Sequence, residues 1–216
     1  MITKFAWQQL AIQLGMREYR LPPIELTGSD CLVLMGGSGA GKSSLLHWLL
    51  GDKQTHVSCR DEVYLNGEPI NDKSIQARRI GLLMQDVLLF EHLSVLDNLR
   101  FALPHRWRRK KPAEQQAYLL ERLSQIEMAE FANAAPAQLS GGQAARIGLL
   151  RALIAEPLLM LLDEPFAALD PRLRSKIRDW TFAQLQQAEV PCIMVTHDLG
   201  DIPATAKQLN LEDYHV

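Results

Sequence analysis

The sequence predicts an α/β fold, in which a parallel sheet is covered by helices. Short apolar runs bounded by turn residues alternate with helical patterns, and they read as strands at 31–35, 62–66, 80–85, 158–163 and 192–196. Several runs have too little polar alternation to leave one face wet, which is typical of strands in a parallel sheet. With 216 residues, 47% of them apolar, the chain is long enough for a sizeable core.

The N-terminal part differs from this core. Residues 10–14 ("LAIQL") and the Asn66-Gly67 turn after "VYL" indicate antiparallel hairpins. The α/β core is therefore expected to carry an N-terminal antiparallel β subdomain.

A long stretch before residue 139 contains no convincing strand. It includes "SVLDNLRFAL", the polar loop "PHRWRRKK", and a segment that begins at Pro112, a residue suited to a first helical position. The apolar residues of that segment form one helical stripe: Tyr118, Leu119, Leu123 and Ile126. We predict a single domain, 1–216, in which 1–85 and 158–216 form the core with its β flank, and 86–157 forms a helical insert and the helix after it.

Charge and cysteine content exclude several classes of protein. A formal net charge of -2 lacks the strong positive field of a nucleic-acid binder, so no nucleic-acid partner is expected. Cys31, Cys59 and Cys192 form no CxxC pair or metal-ligand cluster, which fits a reducing cytosol. Cys31 and Cys192 lie in apolar runs and read as small buried hydrophobes. The start lacks an unbroken apolar signal region, and charged residues and a proline interrupt the most apolar stretch, so no membrane span is expected.

A glycine-rich loop, "GGSGAGKSS" at 36–44, matches the pattern G-x-x-x-x-G-K-[ST]. It follows the strand "CLVLM" and opens an apolar-faced helix. Lys42 can neutralise the β and γ phosphates, and the Ser43 hydroxyl can reach Mg²⁺. The alternative is a plain strand-turn-helix. The residues predicted to surround the phosphates of ATP are Gly36, Gly37, Ser38, Gly39, Ala40, Gly41, Lys42, Ser43 and Ser44.

Two acids end the strand "LLMLLD" at 158–163. Asp163 can hold Mg²⁺ through water. Glu164 is expected to aim differently because strand side chains alternate, and it is the better candidate for the general base that activates the attacking water. A helix-capping acid is the alternative for Glu164.

Six motifs occur in the order "GGSGAGKSS", "LMQD", "LSGGQ", "LLMLLDEP", "FAALD" and "VTHD". With them the chain resembles, over essentially its whole length, the ATP-binding subunit of ABC transporters, and the resemblance implies a P-loop NTPase (RecA-like) core. It also implies that Gln85 touches Mg²⁺ and the attacking water, that His197 contacts the γ-phosphate, and that Asp170 crosses a subunit interface. Taken alone, these three read as a polar strand end, a structural histidine and a helix N-cap.

The motif "LSGGQ" reads as a second helix-terminus anion site. Ser140 is a natural N-cap, and Gly141 and Gly142 expose backbone N–H groups before an apolar-faced helix. The resemblance implies that this segment, with Gln143, covers the γ-phosphate bound by an opposite subunit, so that ATP joins a head-to-tail homodimer. Spacing alone leaves a contact within one chain open.

The stretch 84–99 resembles that of compact importer subunits serving thiamine, inorganic anions or metals. The resemblance implies a cytoplasmic subunit on the inner face of the cell membrane, with a membrane permease and a periplasmic solute-binding protein as partners. The apolar residues expected to dock the permease, or alternatively to pack inside the insert, are Leu88, Leu89, Phe90 and Leu93. Trp7 and Tyr19 flank the region expected to contact adenine, but neither is assigned to it.

Two other functions stay open from the sequence. An exporter or lipoprotein-release ATPase would share every motif. An ABC-type ATPase acting on DNA or ribosomes would suit the basic run "RWRRKK" at 106–111, which also reads as a solvated loop.

Overall fold

Strands dominate the first part of the chain and helices the next. The computed structural model describes residues 2–52 and 55–216. The strands are β1 (Lys4–Trp7), β2 (Leu10–Leu14), β3 (Arg17–Leu21), β4 (Ile24–Thr27), β5 (Cys31–Met35), β6 (Val57–Cys59), β7 (Tyr64–Leu65), β8 (Glu68–Pro69), β9 (Ile80–Leu83), β10 (Leu159–Asp163), β11 (Cys192–Val195) and β12 (Lys207–Asn210). The helices are α1 (Lys42–Leu50), α2 (Ile75–Arg78), α3 (Val95–Phe101), α4 (His105–Arg108), α5 (Pro112–Gln125), α6 (Gly141–Ile154) and α7 (Pro171–Ala188).

A five-stranded sheet has the order β12-β5-β11-β10-β9. Strand β5 runs parallel to both of its neighbours, and β11 runs parallel to β10. Every residue of β11 is buried, as are all but the last residue of β5 and of β10. The prediction of a parallel sheet apolar on both faces is confirmed. The carboxyl ends of β5, β10 and β11 therefore lie side by side at one edge of the sheet.

The antiparallel flank forms two small sheets, β4-β1-β7-β8 and β3-β2-β6. Asn66 and Gly67 connect β7 to β8 with positive φ at both residues, as a two-residue hairpin turn requires. The strand predicted at 62–66 is shorter than expected. Its Val63 N–H donates to the Asn71 side chain at 2.9 Å instead of to a neighbouring strand, and Asn71 also donates to Asp61.

The chain divides into two compact units. The core unit comprises Met1–Leu82, Pro157–Glu164 and Phe182–Val216, and the helical unit comprises Leu83–Glu156 and Pro165–Thr181. The helical unit contains more than the predicted insert. It also includes Pro165–Thr181, the segment that leads into α7 and forms its first part. Lys176 pairs with Glu127, and a Cβ at Gly142 would lie 2.9 Å from the Ala168 carbonyl oxygen.

Within the helical unit, α3 packs against both α5 and α6. The predicted stripe on α5 supplies its buried face, since Leu119, Leu123 and Ile126 have no exposed surface. Tyr118 instead stacks on Trp107, with ring centroids 4.0 Å apart. Trp107 belongs to the short helix α4, which lies inside the predicted polar loop. The prediction of a loop there is therefore wrong in part. None of the helices in the described ranges has the length and apolar character to cross a membrane.

Candidate functional site

The phosphate loop leads from the end of β5 into α1. Gly41 precedes the helix with a φ of 88°, a left-handed value that glycine adopts without strain. The first intrahelical bond runs from Leu45 N–H to the Gly41 carbonyl at 2.9 Å. The N–H groups of the first helical turn therefore have no partner within the helix and face the loop, which makes this end of α1 a site for an anion.

Lys42 folds back over this loop. Its side chain is largely buried, and Nζ donates to the carbonyl oxygens of Gly36 at 2.8 Å and Gly37 at 2.9 Å. The Gly37 carbonyl also accepts from Ala40 N–H at 3.2 Å. The ammonium group is therefore held against the loop itself, next to the backbone groups that are suited to a phosphate.

Asp163 and Glu164 follow one another at the end of β10. Asp163 is the last paired residue of the strand, in register with Val195 of β11. Glu164 then adopts a φ of 49°, while its N–H still donates to the Val195 carbonyl at 3.0 Å. A left-handed backbone at a glutamate is uncommon and costs about 1–3 kcal/mol, and such residues cluster at functional sites.

The structure brings two predicted catalytic residues into contact. Oε1 of Glu164 lies 2.9 Å from Nε2 of His197, on the loop after β11. His197 is 59% exposed and Glu164 21%, so the pair is open to a ligand at the edge of the sheet.

In the helical unit, the motif "LSGGQ" begins α6. The Ser140 hydroxyl accepts from Gln143 N–H at 3.3 Å, and the Gln143 side chain accepts from Ser140 N–H at 2.8 Å. The predicted N-cap is confirmed as a reciprocal capping box. Asp170 accepts from Arg172 N–H at 2.9 Å, as predicted for an N-cap. Ser140, Gly142, Gln143 and Asp170 also line one cavity of about 390 Å³.

Gln85 is exposed and lies just beyond β9, in the helical unit. The segment after Gln85 packs closely against Gly148, a glycine that belongs to none of the six motifs. A Cβ at Gly148 of α6 would lie 2.4 Å from Cγ1 of Val87, so α6 can approach this segment only because residue 148 has no side chain.

The two aromatic residues near the expected adenine site are inaccessible. Trp7 and Tyr19 are each 1% exposed. Trp7 Nε1 donates to the Pro22 carbonyl at 2.7 Å, and the Tyr19 hydroxyl donates to the Ala40 carbonyl at 2.8 Å. Neither ring has an open face on which a base could stack.

The predicted docking residues are unequal in exposure. Leu88 is 71% exposed and Phe90 39%, whereas Leu89 and Leu93 are half-buried. Phe101, which the sequence did not single out, is 61% exposed and meets Phe90 edge to face, with ring centroids 4.9 Å apart. We call Leu88, Phe90 and Phe101 the apolar patch. Phe101 was missed in the sequence because this residue lies at the end of α3, ten or more positions after Leu88 and Phe90.

The basic run at 106–111 is partly engaged by its own unit. Arg106 pairs with Glu156, and Arg108 donates to the carbonyls of Leu103 at 2.9 Å and Phe101 at 3.1 Å. Trp107 is the aromatic residue of the run, and one face of its ring is covered by Tyr118.

Comparison with known proteins gives one consistent family. A family model described as "ABC transporter" matches residues 24–167. The chain is 43% identical to "Uncharacterized ABC transporter ATP-binding protein YnjD" of Escherichia coli (strain K12), over 86% of this chain and 84% of that protein. It is 39% identical to the "Sulfate/thiosulfate import ATP-binding protein CysA" of Gloeobacter violaceus, over 81% of this chain and 49% of that protein. The chain therefore spans about half the length of this second relative.

Solved structures agree with these relatives. A dimeric post-hydrolysis state of the ATP-binding cassette MJ0796, bound to ADP and Pi, superposes with a TM-score of 0.75 at 28% identity, over 98% of this chain and 94% of that one. A putative ABC transporter ATP-binding protein from Pyrococcus furiosus gives 0.77 at 20% identity, over 99% of this chain and 100% of that one, and supports the fold alone.

Proposed function

This chain is an ATPase of the ABC transporter family, and we propose that it hydrolyses ATP to drive the import of a solute through a membrane permease. The observation that carries the catalytic part is the Glu164–His197 contact, at 2.9 Å, at the same sheet edge as the phosphate loop. The direction of transport rests on relatives whose names describe sulfate/thiosulfate import.

In this proposal the phosphate loop binds the triphosphate. Backbone N–H groups within the loop at 36–44 bind the phosphates, while the Gly37 N–H donates to Glu212. Lys42 turns its ammonium group from the Gly36 and Gly37 carbonyls to the β and γ phosphates. Its burial next to the loop means that this charge is held where it is needed before the nucleotide arrives.

Glu164 is the proposed general base. Its carboxylate takes a proton from water as the water oxygen attacks the γ-phosphorus, and the bond to the β–γ bridging oxygen breaks to release ADP. His197 stays next to the carboxylate, with Nε2 2.9 Å from Glu164 Oε1, and presents its exposed ring to the γ-phosphate. The left-handed backbone of Glu164 fixes the direction from which the carboxylate leaves β10.

The residues present fit Mg²⁺, which prefers oxygen ligands. Ser43 offers a hydroxyl in the first turn of α1 and Asp163 a carboxylate at the end of β10, both in the core unit. The contact of Gln85 with Mg²⁺ stays a prediction from the family resemblance. Mg²⁺ would supply neutralisation of charge on the β and γ oxygens. Among the described residues no group of three or more His, Cys, Asp or Glu has the arrangement of a metal site. We propose that oxygens of the ATP phosphates complete the coordination of Mg²⁺.

We further propose an ATP-dependent, head-to-tail homodimer. Ser140, Gly141, Gly142 and Gln143 would cover the γ-phosphate of a second copy, and Asp170 would lie at the same interface. The cavity that Ser140 and Asp170 share supports this role, because both residues face one open space at a helix N-terminus. The solved relative described as dimeric is a further support.

The proposed complex places the chain on the cytoplasmic face of the cell membrane. The apolar patch would receive the permease, since exposed apolar residues grouped together mark interaction sites. A periplasmic solute-binding protein would deliver the solute to that permease.

Reconstitution with the permease tests this function. The complex is placed in vesicles, ATP and Mg²⁺ are supplied on the side that carries the ATPase, and movement of sulfate, thiosulfate and other solutes is followed. Import predicts solute movement toward the ATP-containing side, and none with Glu164→Gln. Movement in the opposite direction would make the chain an exporter ATPase, and ATP hydrolysis coupled to no permease would overturn the transport role.

A further inference from the structure

A short turn after β12 reaches the phosphate loop. Residues Leu211–Tyr214 form a 3-10 turn, and Asn210 Oδ1 caps it by accepting from Glu212 N–H at 3.3 Å. Oε1 of Glu212 in turn accepts from the N–H of Gly37 at 3.0 Å. Glu212 belongs to none of the motifs, yet its side chain is bonded to the loop at Gly37.

Glu212 and Lys42 hold the same peptide unit. The Gly37 N–H and the Gly36 carbonyl belong to one planar trans peptide, in which they point in opposite directions. Glu212 accepts from the N–H, while Lys42 Nζ donates to the carbonyl at 2.8 Å. The two side chains therefore fix the orientation of this peptide plane from opposite sides.

The glycine at position 37 fits this close contact. Gly37 does not have the positive φ seen at Gly36, Gly39 and Gly41, so its backbone conformation does not require glycine. A Cβ at Gly37, however, would lie 2.8 Å from Oε1 of Glu212 and would push the carboxylate away. The absence of a side chain at position 37 leaves room for the Glu212 carboxylate.

The segment that carries Glu212 also supports the other end of the loop. The Tyr19 hydroxyl donates to the Ala40 carbonyl at 2.8 Å. Tyr19 itself is bridged to His215, whose ring meets it edge to face at 5.6 Å. Residues 210–215 thus reach the loop directly at Gly37 and, through Tyr19, at Ala40.

We propose that Glu212 is a positioning residue for ATP binding, a role that rests on the proposed function of the loop. Without nucleotide, Glu212 and Lys42 hold the Gly36–Gly37 peptide together. Once Lys42 turns to the phosphates, Glu212 is the side chain that keeps this peptide oriented. Its negative charge opposes an anion, so its contribution is the hydrogen bond and not the charge. Loss of Glu212 therefore weakens ATP binding more than it weakens the fold.

The test compares Glu212→Ala with Glu212→Gln, whose amide oxygen can still accept from Gly37 N–H. The control is Asp213→Ala, which removes the adjacent carboxylate of the same turn, bonded to Asn210 at 3.2 Å. In Glu212→Ala we expect the Kd and KM for ATP to rise about tenfold at an unchanged kcat, as for the loss of one hydrogen bond. Glu212→Gln and Asp213→Ala should stay within about twofold of wild type.

Amide hydrogen exchange of Gly37 measures the bond directly and should be faster in Glu212→Ala than in wild type or Glu212→Gln. Wild-type affinity in Glu212→Ala would overturn the proposal. Tighter ATP binding in both Glu212 variants would also overturn it, because the carboxylate would then act by repulsion. Normal ATP binding by Lys42→Ala would instead refute the phosphate-loop assignment itself, so the two failures are distinguishable.

Discussion

Oε1 of Glu164 lies 2.9 Å from Nε2 of His197, although the two residues follow different strands of the central sheet. The contact forms because β10 and β11 are parallel neighbours, so the loops after them leave the sheet together. It follows that the geometry of the proposed base depends on the histidine, and the first prediction concerns this pair.

Glu164→Gln should bind ATP but lose about 10²–10⁴ in kcat, because an amide cannot take the proton from water. Glutamine has nearly the same size as glutamate, so the loop should keep its position. With hydrolysis blocked, ATP should produce a stable dimer in light scattering coupled to size exclusion. Turnover at the wild-type rate would rule out Glu164 as the base.

Lys42→Ala should reduce hydrolysis by about 10²–10³-fold, because the charge facing the phosphates is removed. It should also lower the melting temperature slightly, since Nζ satisfies two carbonyls in the free loop. The matched control is Lys73→Ala, which removes a lysine paired with Glu68 on the surface. Both variants are measured for ATP turnover and thermal unfolding, and equal turnover in the two would contradict the assignment.

Ser140→Arg, introduced into Glu164→Gln, should prevent the ATP-driven dimer by filling the cavity shared with Asp170. Loss of the N-cap alone costs about 1 kcal/mol and should not unfold the chain. Ser74→Arg is the control, because it removes an exposed N-cap on α2. A dimer that persists in the Ser140 variant would show that this segment does not lie at the interface.

Leu88→Asp and Phe90→Asp should leave ATP binding intact yet stop the chain from copurifying with its permease. Leu88 is 71% exposed, so a charge there should cost roughly within 0.5 kcal/mol of stability, whereas Phe90→Asp also removes the contact with Phe101 and should cost about 1 kcal/mol more. Ile75→Asp, at an exposed apolar position of the core unit, is the control. Assembly that survives in the Leu88 and Phe90 variants would place the docking surface elsewhere.

The cysteines should resist alkylation in the folded chain at pH 8. Burial raises the pKa of the Cys59 thiol to about 11, so roughly one molecule in a thousand carries the reactive thiolate. The hydrogen bond with Cys31, together with burial, raises the pKa of Cys192 well above its ordinary value. Mass spectrometry after iodoacetamide should show rapid labelling only in denaturant. Rapid labelling of native protein would contradict the raised pKa of Cys59 or the burial of Cys31 and Cys192.

The position of a functional residue could be predicted from the sequence where that residue closely follows a recognisable strand. Lys42, Asp163, Glu164 and His197 follow apolar runs closely, so the position of each at the sheet edge could be predicted from the run. Glu212 could not be predicted in this way. It is an exposed acid in no motif, and it reaches Gly37 only because β12 lies beside β5.

Side-chain competition explains the other differences. The Asn71 side chain accepts from the Val63 N–H, and the predicted strand is shortened there. Tyr118 stacks on Trp107, which lies in a short helix within a predicted loop. Both depend on a partner several residues away, whose effect no local pattern shows. The Lys176–Glu127 pair, which joins α7 to the helical unit, is likewise a contact between distant segments.

The position of β5 in its sheet bears on how the chain folds. In β5, Cys31 pairs with Cys192 and Leu32 pairs with Lys207, so the strand that leads into the phosphate loop gains its neighbours from segments synthesised much later. Contacts of such long sequence separation form slowly and late in folding. During synthesis β5 therefore leaves the ribosome as an unpaired apolar strand, exposed to aggregation, and ATP cannot assist folding until β11 and β12 have emerged.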